Sequence, residues 1–291
     1  MLTFEKLSRR PETFRRLTGV AVRRLTGVAV DLFVEMTEKV RPLWEKRRNN
    51  FEKGGRKHNL PGVENHLLAM LLYYRCYVTY EFLSFFFDSD ETTVMRAVKR
   101  TEKIAVRVIH IEKKREITRA DAEYLIIDAT EQPVHRPKKG QKKYYSGKKG
   151  KHTLGTQFIV GAEGRIFSVS ASYPGSVHDF RIYKEQKGRD RFHGIPKKAD
   201  GGYQGIAAYD RLAEIPFKRP RNGEVTAEQK AYNRNLSKER IKVEHVIREV
   251  KVFKIMSETY RNRLNGHNIK KNIISGIVNM KVEARKMKQA A

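Results

Sequence analysis

Between Tyr232 and Lys254 the apolar residues recur with the period of a helix. Ser237 to about Lys254 reads as one helix, with Ser237 at its N-cap. At about 100° per residue, Val243, Val246, Ile247, Val250 and Phe253 fall within an arc of about 120°. Arg240, Glu244 and Lys251 form a polar stripe beside that arc, and Lys242, His245 and Glu249 point the other way. The helix therefore has a core face, a water face and a border on which a carboxylate lies between two cations. Intrahelical ion pairing produces such a border on an amphipathic surface helix. A metal or phosphate site produces it too.

Upstream the pattern is helical, then changes. Residues 1 to about 57 read as a basic helical segment. Within it RRLTGVAV at 15–22 is repeated without change at 23–30. Two adjacent octamers are too short for a solenoid unit, so a duplication of coding DNA is the simpler source. Residues 59–103 read as a helix-turn-helix. Val63, Leu67, Leu68, Leu71 and Leu72 give the first helix its apolar stripe, Thr79 caps a short second helix over 80–86, and 88–90 form a turn. Asp90 or Glu91 opens a third helix carrying Thr92, Thr93, Arg96, Lys99 and Arg100. Small polar residues followed by cations suit a major-groove reader; a helical packing module would share the pattern.

After a basic connector at 113–119, Tyr124-Leu125-Ile126-Ile127 is a continuous apolar run, the mark of a strand buried on both faces. Asp128 is expected where that strand leaves the core. Residues 137–152 are a lysine-rich loop holding Tyr144 and Tyr145, a composition suited to phosphates and unpaired bases. Residues 152–161 and 165–172 read as two hairpin strands around Ala162-Glu163-Gly164. A short helix over 177–185 follows Pro174-Gly175. A short run from Ile195-Pro196 ends in Ala199-Asp200-Gly201-Gly202-Tyr203, whose glycines let the chain turn sharply after the acid. Beyond a basic loop at 217–224, Thr226 caps the approach to the helix described first. Residues 257–291 end in a helix packed through Ile269, Ile273, Ile274, Ile277 and Val278, then a cationic tail.

Charge narrows the function. Among 291 residues, 61 Lys and Arg face 33 Asp and Glu, a formal net charge of +28 spread along the whole chain. A protein this basic meets a polyanion, with nucleic acid the first candidate. Cys76 alone excludes an internal disulfide and a cysteine zinc cluster. No signal-peptide pattern and no apolar run of membrane-spanning length occur, so the expected location is cytoplasmic, at the nucleoid. No Walker A loop is present either.

Three acids then stand out: Asp128, Asp200 and Glu244, separated by 71 and 43 residues. Carboxylates from several elements that converge on one spot can hold two divalent cations. Each acid alone also fits a turn former or cap. Four motifs decide the matter. They are Ile127-Asp128-Ala129-Thr130-Glu131-Gln132-Pro133; Tyr145-Ser146-Gly147-Lys148-Lys149 with His152-Thr153; Pro174-Gly175-Ser176-Val177-His178-Asp179; and Ala199-Asp200-Gly201-Gly202-Tyr203. With Arg240-x3-Glu244-x6-Lys251 they resemble the DDE transposases of bacterial insertion sequences, in the insertion-sequence-five group related to Harbinger-type elements. The resemblance covers about residues 58–256. One departure is Ser237, where the family often has tyrosine.

The resemblance implies an α/β fold: an RNase H-like mixed sheet flanked by helices, preceded by an all-α helix-turn-helix domain. It divides the chain into a basic N-terminal segment (1–57), the helix-turn-helix (58–115), the catalytic domain (120–256) and a C-terminal helix and tail (257–291). Asp128, Asp200 and Glu244 would be catalytic and would bind two Mg²⁺ ions, with Mn²⁺ as a substitute. Asp179 is the rival second ligand. Arg240 and Lys251 would hold DNA phosphates, and Lys148, Lys149 and His152 would contact DNA too. The implied partners are the element's terminal inverted repeats, target DNA and at least one further copy of the chain.

Overall fold

The computed structural model describes residues 26–49, 60–112, 116–186, 189–221 and 223–290, together with Thr3 and Arg9. The first octamer, residues 15–22, and the start of the second lie outside the described residues. Packing divides the chain into two units. One holds Met1–His110, Lys251–Glu258 and Ile269–Ala291, the other Ile111–Val250 and Thr259–Asn268.

In the helical unit, the end of the second octamer is a turn. Thr26 Oγ1 accepts the Val28 N–H at 3.3 Å, and Gly27 takes φ +81° against the Phe253 ring. Helix α1 (Val30–Asn49) follows. Helices α2 (Gly62–Cys76), α3 (Tyr80–Phe87) and α4 (Glu91–Val108) form the expected three-helix array. Thr79 caps α3 by accepting the Phe82 N–H at 3.1 Å, and Asp88 turns the chain at φ 50°. One expectation needs correction. The five apolar residues of α2 do not form a stripe, because His66, Ala69, Met70, Tyr73 and Tyr74 are buried as well. A helix buried on nearly every side shows no amphipathic period.

The second unit is built on β1 (Leu125–Pro133). Leu125, Ile126 and Ile127 are fully buried, as the apolar run requires. The strand does not end at Asp128, however. It continues five residues further because β3 pairs with it along its whole length. After α5 (Gln141–Tyr144) come β2 (Tyr145–Ser146), β3 (Lys151–Gly161), β4 (Ile166–Val169) and β5 (Tyr173–Pro174). Helix α6 (Asp179–Glu185), β6 (Lys197–Ala199) and β7 (Ala213–Glu214) complete the sheet region. The sheet is mixed, in the order β2-β3-β1-β6-β7, with β4 and β5 also paired to β3. β1 is antiparallel to β3 and parallel to β6.

Helix α7 (Ala227–Lys251) starts ten residues before Ser237. Thr226 Oγ1 accepts the Gln229 N–H at 3.2 Å while Gln229 Oε1 accepts the Thr226 N–H at 3.1 Å. This reciprocal cap satisfies two N-terminal donors, so the helix starts there and Ser237 lies inside it. Val243, Val246, Ile247 and Val250 are buried. Helix α8 (His267–Ala290) closes the chain, with Ile273, Ile274, Ile277 and Val278 fully buried. Helices thus precede and flank a mixed sheet, as the fold class anticipated.

Candidate active site

Parallel pairing of β1 with β6 sets Leu125 opposite Lys197 and Ile127 opposite Ala199. Neighbouring strands lie about 4.8 Å apart and their side chains alternate between faces. Leu125, Ile127, Ile159 and Ala199 enter one core cluster with Tyr183, Phe192, Tyr203 and Ile206. The residue after each of the paired Ile127 and Ala199 is an aspartate. Asp128 on β1 and Asp200, just past the end of β6, therefore sit at the same level, on the face opposite that cluster. Asp200 also caps the following turn, accepting the Gly202 N–H at 2.9 Å.

Helix α7 lies over this face. Lys198, one residue before Ala199, pairs with Glu239 and lies 4.1 Å over the Tyr124 ring. The pair sets Arg240, the next residue of α7, close enough for its charge to act on Asp128. The buried Arg240 Nε has no hydrogen-bond partner among the described residues.

Burial pushes the Asp128 carboxyl up to about 6. Arg240 and a backbone hydrogen bond at Ala129 oppose that rise, while Asp200 and Asp179 add to it. Asp179 opens α6 just after His178, whose Nδ1 accepts the Phe180 N–H at 3.3 Å. Its carboxyl is also raised, first by burial and then by Asp200 and Glu131, against Lys148 and His178. The Tyr203 hydroxyl, raised well above 10 by burial and then by Asp179, Asp128 and Asp200, donates to Gln157 Oε1 at 3.1 Å. Three aspartates thus share one electrostatic environment, and a polar network lies behind them.

Glu244 is placed differently. It stands one turn beyond Arg240 on α7, exposed, and is not among the charges that act on Asp128 or Asp179. Among the described residues no three His, Cys, Asp or Glu side chains stand close enough to hold a metal ion. The donors are nonetheless hard carboxylate oxygens, half-buried and repelling one another, which is what a divalent Mg²⁺-like cation takes. Asp128 and Asp200 fit such an ion as a pair.

The candidate DNA contacts divide between the units. Lys148 and Lys149 are exposed in the β2–β3 turn, and the Lys149 N–H donates to Ser146 Oγ at 3.2 Å. The half-buried His152 ring meets the exposed Tyr145 ring edge-on at 5.7 Å. Lys251, at the end of α7, packs with the helical unit. On α4, Thr92, Arg96 and Lys99 are exposed. Arg100 is half-buried, and the Thr93 hydroxyl donates to Asp90 Oδ2 at 2.9 Å.

Sequence reasoning passed over Glu131, Tyr203, Gln157 and the Lys198–Glu239 pair. Glu131 and Tyr203 lie inside motifs quoted above, so their positions were in view. The role of each depends on pairing partners far along the chain.

Residues 127–280 match the family model described as DDE superfamily endonuclease. Residues 58–108 match the helix-turn-helix of DDE superfamily endonuclease. Over 271 residues the chain is 36% identical to a probable transposase for insertion sequence element IS702 from Microchaete diplosiphon, covering 91% of this chain and 93% of that protein. No solved structure matches.

Proposed function

The chain belongs to the DDE superfamily endonucleases of insertion-sequence transposases, and from that premise we propose that it cuts and joins the ends of its own element. It binds the terminal inverted repeats, hydrolyses phosphodiester bonds at the ends, and transfers the 3′ ends to target DNA. The observation that carries this reading is the Ile127–Ala199 register, which sets Asp128 beside Asp200.

Asp128 and Asp200 would hold two Mg²⁺ ions in this reading, or Mn²⁺ in their place, and Glu244, exposed one turn beyond Arg240, would have to turn inward to serve as the third ligand. Asp179 is the alternative second ligand, supported by its electrostatic contact with both aspartates. When bound, such cations supply Lewis acidity at the phosphate and acidify a bound water. Arg240 brings a fixed positive charge to the edge of the carboxylates, where a scissile phosphate needs neutralising. Lys148, Lys149, His152 and Lys251 hold the flanking backbone. Thr92, Thr93, Arg96, Lys99 and Arg100 engage the repeat, so end recognition and cleavage use different units. Two ends require at least two copies. The place of action is the nucleoid, and among the described residues no helix is long and apolar enough to cross a membrane.

A linear duplex carrying one element end tests the reading in Mg²⁺ or Mn²⁺. Asp128→Ala, Asp200→Ala and Glu244→Ala each abolish nicking and keep end binding. If Asp200→Ala still cuts and Asp179→Ala does not, the second ligand is Asp179. One observation favours a second reading, a catalytically silent DNA-binding regulator: no three acids gather tightly enough for a metal among the described residues. Binding by the unmutated protein without any nicking would establish that reading instead.

A further inference from the structure

Helix α3 has a surface unlike the rest of this basic chain. Leu83 and Phe87 turn inward and are buried, yet Phe82, Phe85 and Phe86 are 51%, 84% and 38% exposed. Their rings form one patch, with Phe82 and Phe86 5.0 Å apart and Phe85 and Phe86 6.3 Å apart. Glu81 and Asp88 help to line a groove of about 610 Å³ beside Phe82 and Phe85. Asp90 and Glu91 are exposed just beyond it. From Cys76 to Met95 the chain carries four acids and no Lys, Arg or His, within a protein of net charge +28.

DNA is a poor occupant for this face. In a helix-turn-helix the helix before the reader crosses the phosphate backbone, but four carboxylates would repel it. Folding does not require the outward rings either, since Leu83 and Phe87 already anchor α3. Clustered exposed aromatics with a polar rim mark a protein interface. Pairing of the patch with itself would set four acids against four. The occupant is therefore cationic with an apolar tip.

The chain offers such a segment. In the last turns of α8, Met287 is 73% exposed, and Arg285, Lys286 and Lys288 around it are exposed too. We propose that the α3 groove receives the C-terminal turns of α8 from a second copy of this chain. The Met287 thioether lies on the phenylalanine rings, and the cations meet Glu81, Asp88, Asp90 and Glu91. A two-fold axis repeats the contact reciprocally and closes a dimer. The three rings expose on the order of 350 Å² at about 200 Å² per phenylalanine. Two reciprocal contacts then bury roughly 1,400 Å² in total, the size of a standard specific interface.

Sedimentation velocity on the full-length, DNA-free protein tests this, independently of any cleavage. The unmutated protein sediments as a dimer that weakens with added salt. Phe82→Ser with Phe85→Ser yields monomers of unchanged circular dichroism, as does Met287→Ser. Glu81→Lys with Asp88→Lys also yields monomers, and adding Lys286→Glu with Lys288→Glu restores the dimer. A monomeric unmutated protein, variants that stay dimeric, or reversed charges that restore nothing would each overturn the proposal. So would a Phe82→Ser/Phe85→Ser protein that stays dimeric but loses element-end binding, since the face would then lie on DNA.

Discussion

Glu239 of α7 closes an ion pair on Lys198 of β6, and the Lys198 ammonium lies 4.1 Å over the Tyr124 ring. One residue beyond Glu239 stands Arg240, and two residues beyond Lys198, just past the end of β6, stands Asp200. The pair thus fixes which turn of α7 faces the carboxylates. Lys198 is largely buried, whereas Glu239 is 39% exposed, so water screens part of the attraction.

Glu239→Ala therefore costs about 1–2 kcal/mol of stability, less than the loss of a fully buried partner. Its effect on end cleavage is larger than that cost implies, because α7 loses its register while end binding through α4 persists. Thermal melts set beside single-turnover nicking measure both effects. Equal losses of stability and cleavage would show that the pair serves folding alone.

Pairing across the chain marks the boundary of what the sequence made legible. The apolar run at Tyr124–Ile127 announced a doubly buried strand, and it is one. Its extension to Pro133 was hidden because Thr130 and Glu131 look like loop residues. They become strand residues only through β3, where Thr153 donates to Glu131 Oε2 at 2.6 Å. Register is likewise a long-range property. The sequence quoted Asp128 and Asp200, but only the β1–β6 ladder sets them side by side. The helical wheel placed Arg240, Glu244 and Lys251 on one border. Their surroundings differ: Arg240 acts on Asp128, Glu244 is exposed, and Lys251 packs with the helical unit. The early start of α7 had a local signal, Thr226 with Gln229 three residues on, but Leu236 is the first buried residue of that helix. Its first two turns therefore show no apolar period.

Burying an ionised Asp128 among like charges costs the fold stability that a neutral side chain would recover. Its carboxyl is pushed up to about 6 from an ordinary value of 3.8, so the ionised form is penalised in the folded protein. Asp128→Asn is expected to raise stability at pH 7.5 by about 2 kcal/mol. Millimolar Mg²⁺ should stabilise the unmutated protein and leave the variant unchanged, erasing the difference. Calorimetry with and without the ion checks this. An Mg²⁺ shift of equal size in both proteins would remove Asp128 from the ligand set.

Gly27, in the second octamer copy, sits at φ +81°, and an added Cβ would lie 2.7 Å from the Phe253 ring. Backbone and space both require glycine there. Gly27→Ala is expected to cost about 2 kcal/mol or more. Serine in its place should cost at least as much. Urea denaturation gives the value. A neutral substitution would mean that the turn into α1 contributes nothing to the helical unit.

Lys271 on α8 supplies a pH signature for that same unit. Burial lowers its ammonium from 10.5 to about 7. Between those values the unfolded chain holds a proton that the folded protein has released, so stability rises with pH across the window. The penalty is full below pH 7 and fades towards pH 10.5. From pH 7 to 9.5 the gain is about 3 kcal/mol at about 1.4 kcal/mol per pH unit. Lys271→Met removes the titrating group while keeping most of its buried volume. The stability difference between variant and unmutated protein should therefore shrink steadily over that range. Parallel curves from pH 7 to 9.5 would show that Lys271 stays charged in the fold, held by partners strong enough to offset its burial.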